Sequence, residues 1–375
     1  MLQSIFTGLS SLINHRRALD ITAHNIANES VEGYSKQRVN LQNNFTRQDG
    51  NHQVGVGVHT HSITRMHNDM LFDRVLGATE NNASANEEFV HLQRVEEMLV
   101  GDGLDGNTIS DLTDKFFDKM QDLSANPNDN AVKADIKITG EELIDRGRRL
   151  NTVLDDYKSG MKDERELLIE EANGYLKEID SLTKGIQEVE AFNEFPTYEK
   201  SYANDLRDKR DLLEMKLSEI GNFQSHEPRV SEYNFTFEPN GGRLEGIDNG
   251  IKNIDKLQGA FNQTFGPLAN KVDEFINGPM DNPNEMIDWD YANKPANAIN
   301  TSFVGFSSSV DNIGNTAGST EAIMRGLEAQ NNKLTKVNID EEMVNQIRYQ
   351  RAYEAAAVVI RTGDEMLKTL LDMKR

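Results

Sequence analysis

The stretch Leu19-Asp20-Ile21-Thr22-Ala23-His24-Asn25-Ile26-Ala27-Asn28-Glu29-Ser30-Val31-Glu32-Gly33-Tyr34-Ser35-Lys36-Gln37-Arg38 decides how this chain is read. Leading into and through it, Leu2, Ile5, Leu9, Leu12, Leu19, Ala23 and Ile26 recur at alternating spacings of three and four, interrupted by Arg16. That is a heptad seam, the pattern of a helix that packs lengthwise on another helix. The seam stops in a cluster of Asn, Glu, Ser and Gly, and Gly33-Tyr34 marks a turn. A lone helix with an apolar stripe is marginal in water, so this one needs a partner. The other end of the chain offers it. Asn338 reads as the N-cap of a last helix whose first turn holds Asp340, Glu341 and Glu342, as the helix dipole favours. Val344, Ile347, Ala355, Val358, Met366, Leu370 and Met373 follow along one face, and Lys374-Arg375 close it.

Between these ends the pattern alternates. Residues 34–65 read as extended. In Val54–Ile63, valines alternate with Gly55, Gly57, His59 and His61, which is the period of a strand or hairpin. The two glycines imply that another backbone approaches closely. Residues 66–100 are helical, Gly101–Gly106 is a loop, and a helix near 108–125 closes at Asn126-Pro127. Residues 131–192 form the longest helical stretch, with a second seam of Leu168, Ala172, Tyr175, Ile179, Leu182, Ile186 and Val189. Gly160, Gly174 and Gly185 within it mark close helix contacts or bends. A helix over 202–220 ends at Gly221, read as a glycine cap. Tyr233, Phe235 and Phe237 then mark a small β element, residues 251–277 return to helix, and 278–298, with Pro279, Pro283 and Pro295, read as linker. A polar helix over 300–333 precedes the last one.

The expected fold is mainly α with small β elements. An antiparallel coiled coil of the terminal helices (1–65 and 337–375) carries a helical-rod domain (66–222 and 299–336) and a small outer α+β module (223–298).

Composition excludes several function classes. The net charge of -22 over 375 residues opposes nucleic-acid binding, where neutralisation of phosphates dominates, and opposes an anionic membrane surface. Without cysteine there are no disulfides, thiolate metal sites or thiol nucleophiles. The longest apolar run, near Ala355–Ile360, is far short of the roughly 20 residues of a membrane span. The amphipathic N-terminal stretch is unlike a cleaved secretory signal, so the expectation is a cytoplasmic protein or one exported without such a signal.

Candidate chemistry is sparse. His59 and His61 share a strand face and have His52 and His67 nearby in sequence, but no acidic partner stands at ligand spacing. Asn126–Asn130 and Asp281–Asp290 lack the loop spacing of a calcium site and read as turns. Among the 62 acidic residues no pair stands out as an acid–base couple. There is no Gly-x-Ser-x-Gly, HExxH or phosphate loop. No catalytic residue, cofactor or metal is expected, and a non-enzymatic structural role fits best.

Three motifs carry a resemblance. Asn25-Ile26-Ala27-Asn28 followed by Gly33-Tyr34-Ser35-Lys36-Gln37 resembles the signature of bacterial flagellar axial proteins, in the form found in the hook-associated protein 1 family. Val337-Asn338-Ile339-Asp340-Glu341-Glu342-Met343, with Tyr349–Tyr353 and Asp364–Leu367, is similar to that family's ending. Asn204-Asp205-Leu206-Arg207-Asp208-Lys209-Arg210-Asp211 resembles a motif of the first helical domain of junction proteins and flagellin-like proteins. Glu29-Ser30-Val31-Glu32 departs from the family pattern, and 223–298 leaves room only for a reduced outer domain.

The resemblance implies a structural subunit of the hook–filament junction, extracellular on the flagellum and exported by the type III route. Implied partners are further copies of the chain in a ring, the hook protein, the second junction protein (hook-associated protein 3) and an export chaperone on the C-terminal helix. The implied assembly interface comprises the seam residues of both terminal helices together with Asn25, Asn28, Gly33 and Tyr34.

Overall fold

A computed structural model of the chain describes residues 2–43, 46–49, 52–55, 57–101, 108–191, 202–226 and 234–373. The side chains of Leu2 and His52, residue Val56, the loop at 102–106, Tyr233 and Lys374-Arg375 lie outside what is described.

Helix α1 (Leu2–Ala27) and helix α9 (Ile339–Asp372) run antiparallel along each other. Ile5 packs on Gly363, Gly8 on Ala356 and Ile360, the His15 ring lies 6.2 Å from that of Tyr349, and Asn25 meets Glu342. Asn338 caps α9 as expected, its side chain accepting from the N–H groups of Asp340 and Glu341.

A β-ribbon leaves the end of α1. Strand β1 (Gln37–Asn43) pairs antiparallel with β4 (Val58–Arg65), and β2 (Thr46–Asp49) pairs with β3 (His52–Gly55) beyond them. The register sets Gln37 opposite Arg65 and shifts between Asn40 and Leu41. The ribbon folds back on α1. Asn14 Nδ2 donates to Val58 O (2.8 Å) and Thr60 Oγ1 donates to Asn14 Oδ1 (2.6 Å). Gly57, at φ +106°, rests on Ser10 so tightly that a Cβ there would overlap the Ser10 hydroxyl. This is the close approach its sequence context implies.

The rod is built from α2 (Asp69–Gly101), α3 (Ile109–Ala125), the 61-residue α4 (Asn130–Glu190), α5 (Asn204–Ile220), the hairpin of β5 (Asn222–His226) and β6 (Asn234–Glu238), α6 (Gly242–Asn277), α7 (Pro283–Asn293) and α8 (Pro295–Thr335). Helix α2 packs on α6 and α8, while α4 packs on α3, α5 and α6. One apolar cluster joins Leu92 and Val95 of α2, Phe116 and Met120 of α3, Ile136 and Leu143 of α4, Leu217 of α5, Leu244 and Phe261 of α6, and Ile299 and Phe306 of α8. Residues from 223–298 therefore share the rod's core. The second seam is buried or half-buried against that core from Leu168 to Ile186, while Val189 at its end is exposed.

Two sequence expectations need correction. Residues 278–298 are not linker, because Pro283 and Pro295 occupy the opening turns of α7 and α8, where the missing N–H costs nothing. Helix α6 starts at Gly242 rather than 251, since Gly241 and Gly242, both at positive φ, turn the chain from β6 straight into it. Gly221 does cap α5, its N–H donating to Leu217 O (3.0 Å), with an extended backbone. It lets the Phe237 ring pack where a Cβ would stand at 2.8 Å.

Among the glycines of α4, Gly160 and Gly174 face open space and Gly185 meets Leu206. The close crossings are instead at Gly140, beneath Val272 and Phe116, and at Gly147, beneath the Phe265 ring.

Candidate assembly interface

The three motifs singled out in the sequence converge on one junction. Asn25 lies at the C-terminal end of α1, 1% exposed. Its Nδ2 donates to Gln37 O (2.9 Å) and to Glu342 Oε2 (3.2 Å), and its Oδ1 accepts from Tyr34 OH (2.8 Å) and Gln37 N (2.9 Å). One amide thus joins α1, the start of the ribbon and α9. Gln37 carries the chain of bonds onward. Its Nε2 donates to Asp205 Oδ1 (2.8 Å) and its Oε1 accepts from Asn204 Nδ2 (3.2 Å), at the start of α5.

A second set of links runs beside this one. Ser35 N donates to Asp208 Oδ2 (2.9 Å), and Arg65, at the end of β4, pairs with both Asp208 (3.1 Å) and Asp211 (2.5 Å). Lys36 Nζ lies 2.8 Å from Glu341 and 3.1 Å from Glu342. The backbone stitches the same place. Lys36 N donates to Thr335 O and Met66 N donates to Lys36 O, each at 2.7 Å. Gly33, at φ +77°, sits against Leu212 of α5, and Asn28 Nδ2 donates to His24 O (2.9 Å), closing the last turn of α1.

The electrostatics follow from burial. Desolvation pushes the Asp208 carboxyl up, opposed by the Ser35 N–H and by Arg65. Tyr34 is raised by burial and then by the nearby carboxylates of Asp205, Asp208 and Glu342. Burial works against the Lys36 charge, but its bonds to Glu341 and Glu342 prevail and raise its pKa. These donors and acceptors fasten α1, the ribbon, α5 and α9 together, and Gln37, Asn204 and Asp205 also border a cleft with His24, His61 and Tyr202. Asn25, Asn28, Gly33 and Tyr34, expected at the assembly interface, are placed in this fastening.

The terminal seams divide differently. On α1, Ile5, Leu12, Leu19 and Ile26 are half-buried, and Leu9 and Ala23 are exposed. Phe6 (60% exposed) and Ile13 (47%), which the seam does not include, stand outward with Leu9 at spacings of three and four. On α9 the face that meets α1 holds Ala356 and Gly363, with Glu342 at its end. Val344 (64% exposed), Ile347 (57%), Ala355, Val358, Met366 and Leu370 are exposed. This stripe, expected at the assembly interface, is not what closes the α1–α9 contact. At the contact Gly8 receives Ile360 and Gly363 receives Ile5, small residues letting the helices approach, while the large side chains of the stripe are left outside.

His59 is half-buried and His61 exposed, both on the face of β4 opposite the buried Thr60 and Ser62. Among the described residues, neither joins a group of three potential metal ligands.

Comparison with known proteins matches residues 92–244 to the flagellar hook-associated protein FlgK helical domain and residues 333–373 to the flagellar basal body rod FlgEFG protein C-terminal family. The first covers the rod from the middle of α2 to the start of α6, including Asn204–Asp211. The second covers α9 with its cap. Flagellar hook-associated protein 1 of Bacillus subtilis (strain 168) is 28% identical over 231 residues, covering 58% of this chain and 43% of the relative. Its counterpart from Salmonella typhimurium is 24% identical over 237 residues, covering 61% and 41%. The flagellar hook protein FlgE of Borreliella burgdorferi is 30% identical over 103 residues, 24% of this chain and 23% of that one. The matched part thus spans about two fifths of the length of the hook-associated relatives. With residues 92–244 similar to a junction-protein helical domain and α9 similar to an axial-protein ending, the chain resembles the hook-associated protein 1 relatives over the part that matches.

Proposed function

We propose that this chain is a structural, non-catalytic subunit of the bacterial flagellum that forms the junction between hook and filament. In this reading α1 and α9 build the inner tube, the rod of 66–222 and 299–336 forms the next shell, and part of 223–298 faces outward. The subunit works outside the cell, reached by type III export without a cleaved signal. Its partners are further copies of itself in a ring, the hook protein, hook-associated protein 3, and before export a chaperone on α9.

The observation that carries this is the exposed apolar strip. The α1–α9 contact runs through Gly8, Ala356 and Gly363 with Ile5 and Ile360, yet Phe6, Leu9, Val344, Ile347, Val358, Met366 and Leu370 remain exposed. At about 25 cal/mol per Å² of apolar surface, burying such a strip between neighbouring subunits stabilises a tube by several kcal/mol per copy. A hook protein shares similar ends, but the helical-domain match over 92–244 favours the junction reading.

The test is genetic. Deleting the gene leaves hooks without filaments in electron micrographs, with flagellin lost to the medium. Ile347→Asp reproduces that phenotype while the purified subunit keeps its helical circular dichroism. Normal filaments on Ile347→Asp cells would reject the strip as an assembly surface.

A further inference from the structure

Away from the helix pair, one cluster in the rod is built unlike the rest. Glu87 and His91 stand one turn apart on α2, and Glu164 reaches them from α4. Their ligand atoms all lie within 4.8 Å of one another, the one such group of three among the described residues. His91 is 4% exposed. Its Nδ1 lies 2.9 Å from the Tyr157 hydroxyl of α4, and the two rings meet edge to face. With Nδ1–H donated to that phenol oxygen, the Nε2 lone pair is aimed at the two carboxylates. Nε2 is buried and makes no hydrogen bond of good geometry. It stands 3.3 Å from Glu87 Oε1 and 3.7 Å from Glu164 Oε2.

We propose that Glu87, His91 and Glu164 form a binding site for a divalent cation of the zinc class, which pins α2 to α4. The spacing is that of a coordination shell. A tetrahedral ion with bonds of about 2.0–2.1 Å sets its ligands about 3.3–3.4 Å apart, close to the two distances from Nε2. The donor set of one imidazole and two carboxylates suits a borderline ion, and it holds too few hard oxygens for calcium.

Arg243 of α6 braces the carboxylates from behind. Its Nε lies 2.9 Å from Glu87 Oε2, and its Nη2 lies 3.1 Å from Glu164 Oε1 and 3.3 Å from Glu87 Oε1. One guanidinium against two carboxylates leaves one negative charge for the cation to balance. Glu164 is 39% exposed, which gives an ion its way in and leaves the fourth position to water. Tyr157 and Arg243 orient the ligands in the manner of the outer partners of metal sites.

The experiment uses the full chain, stripped with a chelator and titrated near neutral pH with Zn²⁺ by calorimetry and with Co²⁺ by visible absorption. One Zn²⁺ per chain, a raised melting temperature and a tetrahedral Co²⁺ band are expected. Glu164→Gln, at a partly exposed position that leaves the core intact, weakens binding at least about tenfold. His91→Gln does the same, and Tyr157→Phe weakens binding less. Changing His59 and His61 together to Ala leaves the signal unchanged. Two results would overturn the proposal. One is no heat and no Co²⁺ band in the wild-type chain, the cluster then being closed by a proton on His91 alone. The other is full binding in Glu164→Gln, which places the ion elsewhere.

Discussion

Asn25 concentrates the joining of three parts of the chain in a single amide. Replacing it with Leu keeps the volume and strands the Tyr34 hydroxyl, the Gln37 N–H and one bond of the Glu342 carboxylate. A buried polar group left unpaired costs about 1–3 kcal/mol, so Asn25→Leu is expected to lower stability by about 3 kcal/mol, read as a lower urea midpoint for the α1–α9 pair. Glu190 makes a prediction in pH. Its carboxylate takes a forked pair of bonds from Arg207 (3.0 and 2.8 Å) and one from Ala203 N (3.0 Å). Burial opposes its charge, but those bonds prevail and hold its pKa below the ordinary 4.5. The unfolded chain therefore takes up this proton first, and the stability Glu190 contributes is lost as pH falls below about 4.5. Thermal melts between pH 6 and pH 3 check this, and Glu190→Gln flattens that part of the profile. The motifs make Asn25, Tyr34 and Asp208 stand out in the bare sequence. That they meet is not legible there, because the bonded partners lie 168, 173 and 317 residues apart and such pairings leave no periodic trace. The Glu87–His91–Glu164 cluster is hidden for the same reason. Its one local sign is the spacing of Glu87 and His91, which is common on any acidic helix.

At the scale of elements, the same substitution has opposite expected signs along α4. Gly147 lies under the Phe265 ring, where an added methyl has no room, so Gly147→Ala is expected to destabilise the rod by about 1–3 kcal/mol. Gly160 faces open space, and Gly160→Ala removes a weak helix former at a gain of about 1 kcal/mol. Melting temperatures of the two variants, moving apart from wild type, check the pair. Sequence treats the glycines of α4 alike, since only the tertiary neighbour distinguishes them. Helix existence is legible from caps and periodicity, as at Asn338 and along Leu168–Ile186. Pro283 and Pro295 mislead because a proline that ends one helix and a proline that begins another read alike without the backbone. The α1–α9 contact misleads in another way. Heptad reading weighs large apolar side chains alone, whereas this contact pairs Ile5 and Ile360 with the small residues Gly363 and Gly8.

For the whole molecule, the apolar cluster of the rod draws its buried members from residues 72–310 and, among the described residues, includes none from α1 or α9. The rod thus has a core of its own, and the helix pair is held by a small-residue contact and by the polar junction. Hydrogen exchange of the free subunit is expected to show α1 and α9 exchanging well before α3, α4 and α6, and deletion of 339–375 is expected to leave the rod's protection in place. Equal protection in both parts would count against this division. The junction also has a mechanical consequence. The chain passes between helix pair and rod twice, near Arg65–Asp69 and near Thr335–Ile339. Two flexible crossings alone would make a swivel, about which the rod could twist freely. Here both crossings are tied to Lys36 by backbone bonds and cross-braced by Arg65 to Asp208 and Asp211 on α5. The joint is therefore stiff in torsion, and a couple applied to the helix pair is carried into the long strut of α4 instead of being lost as slack.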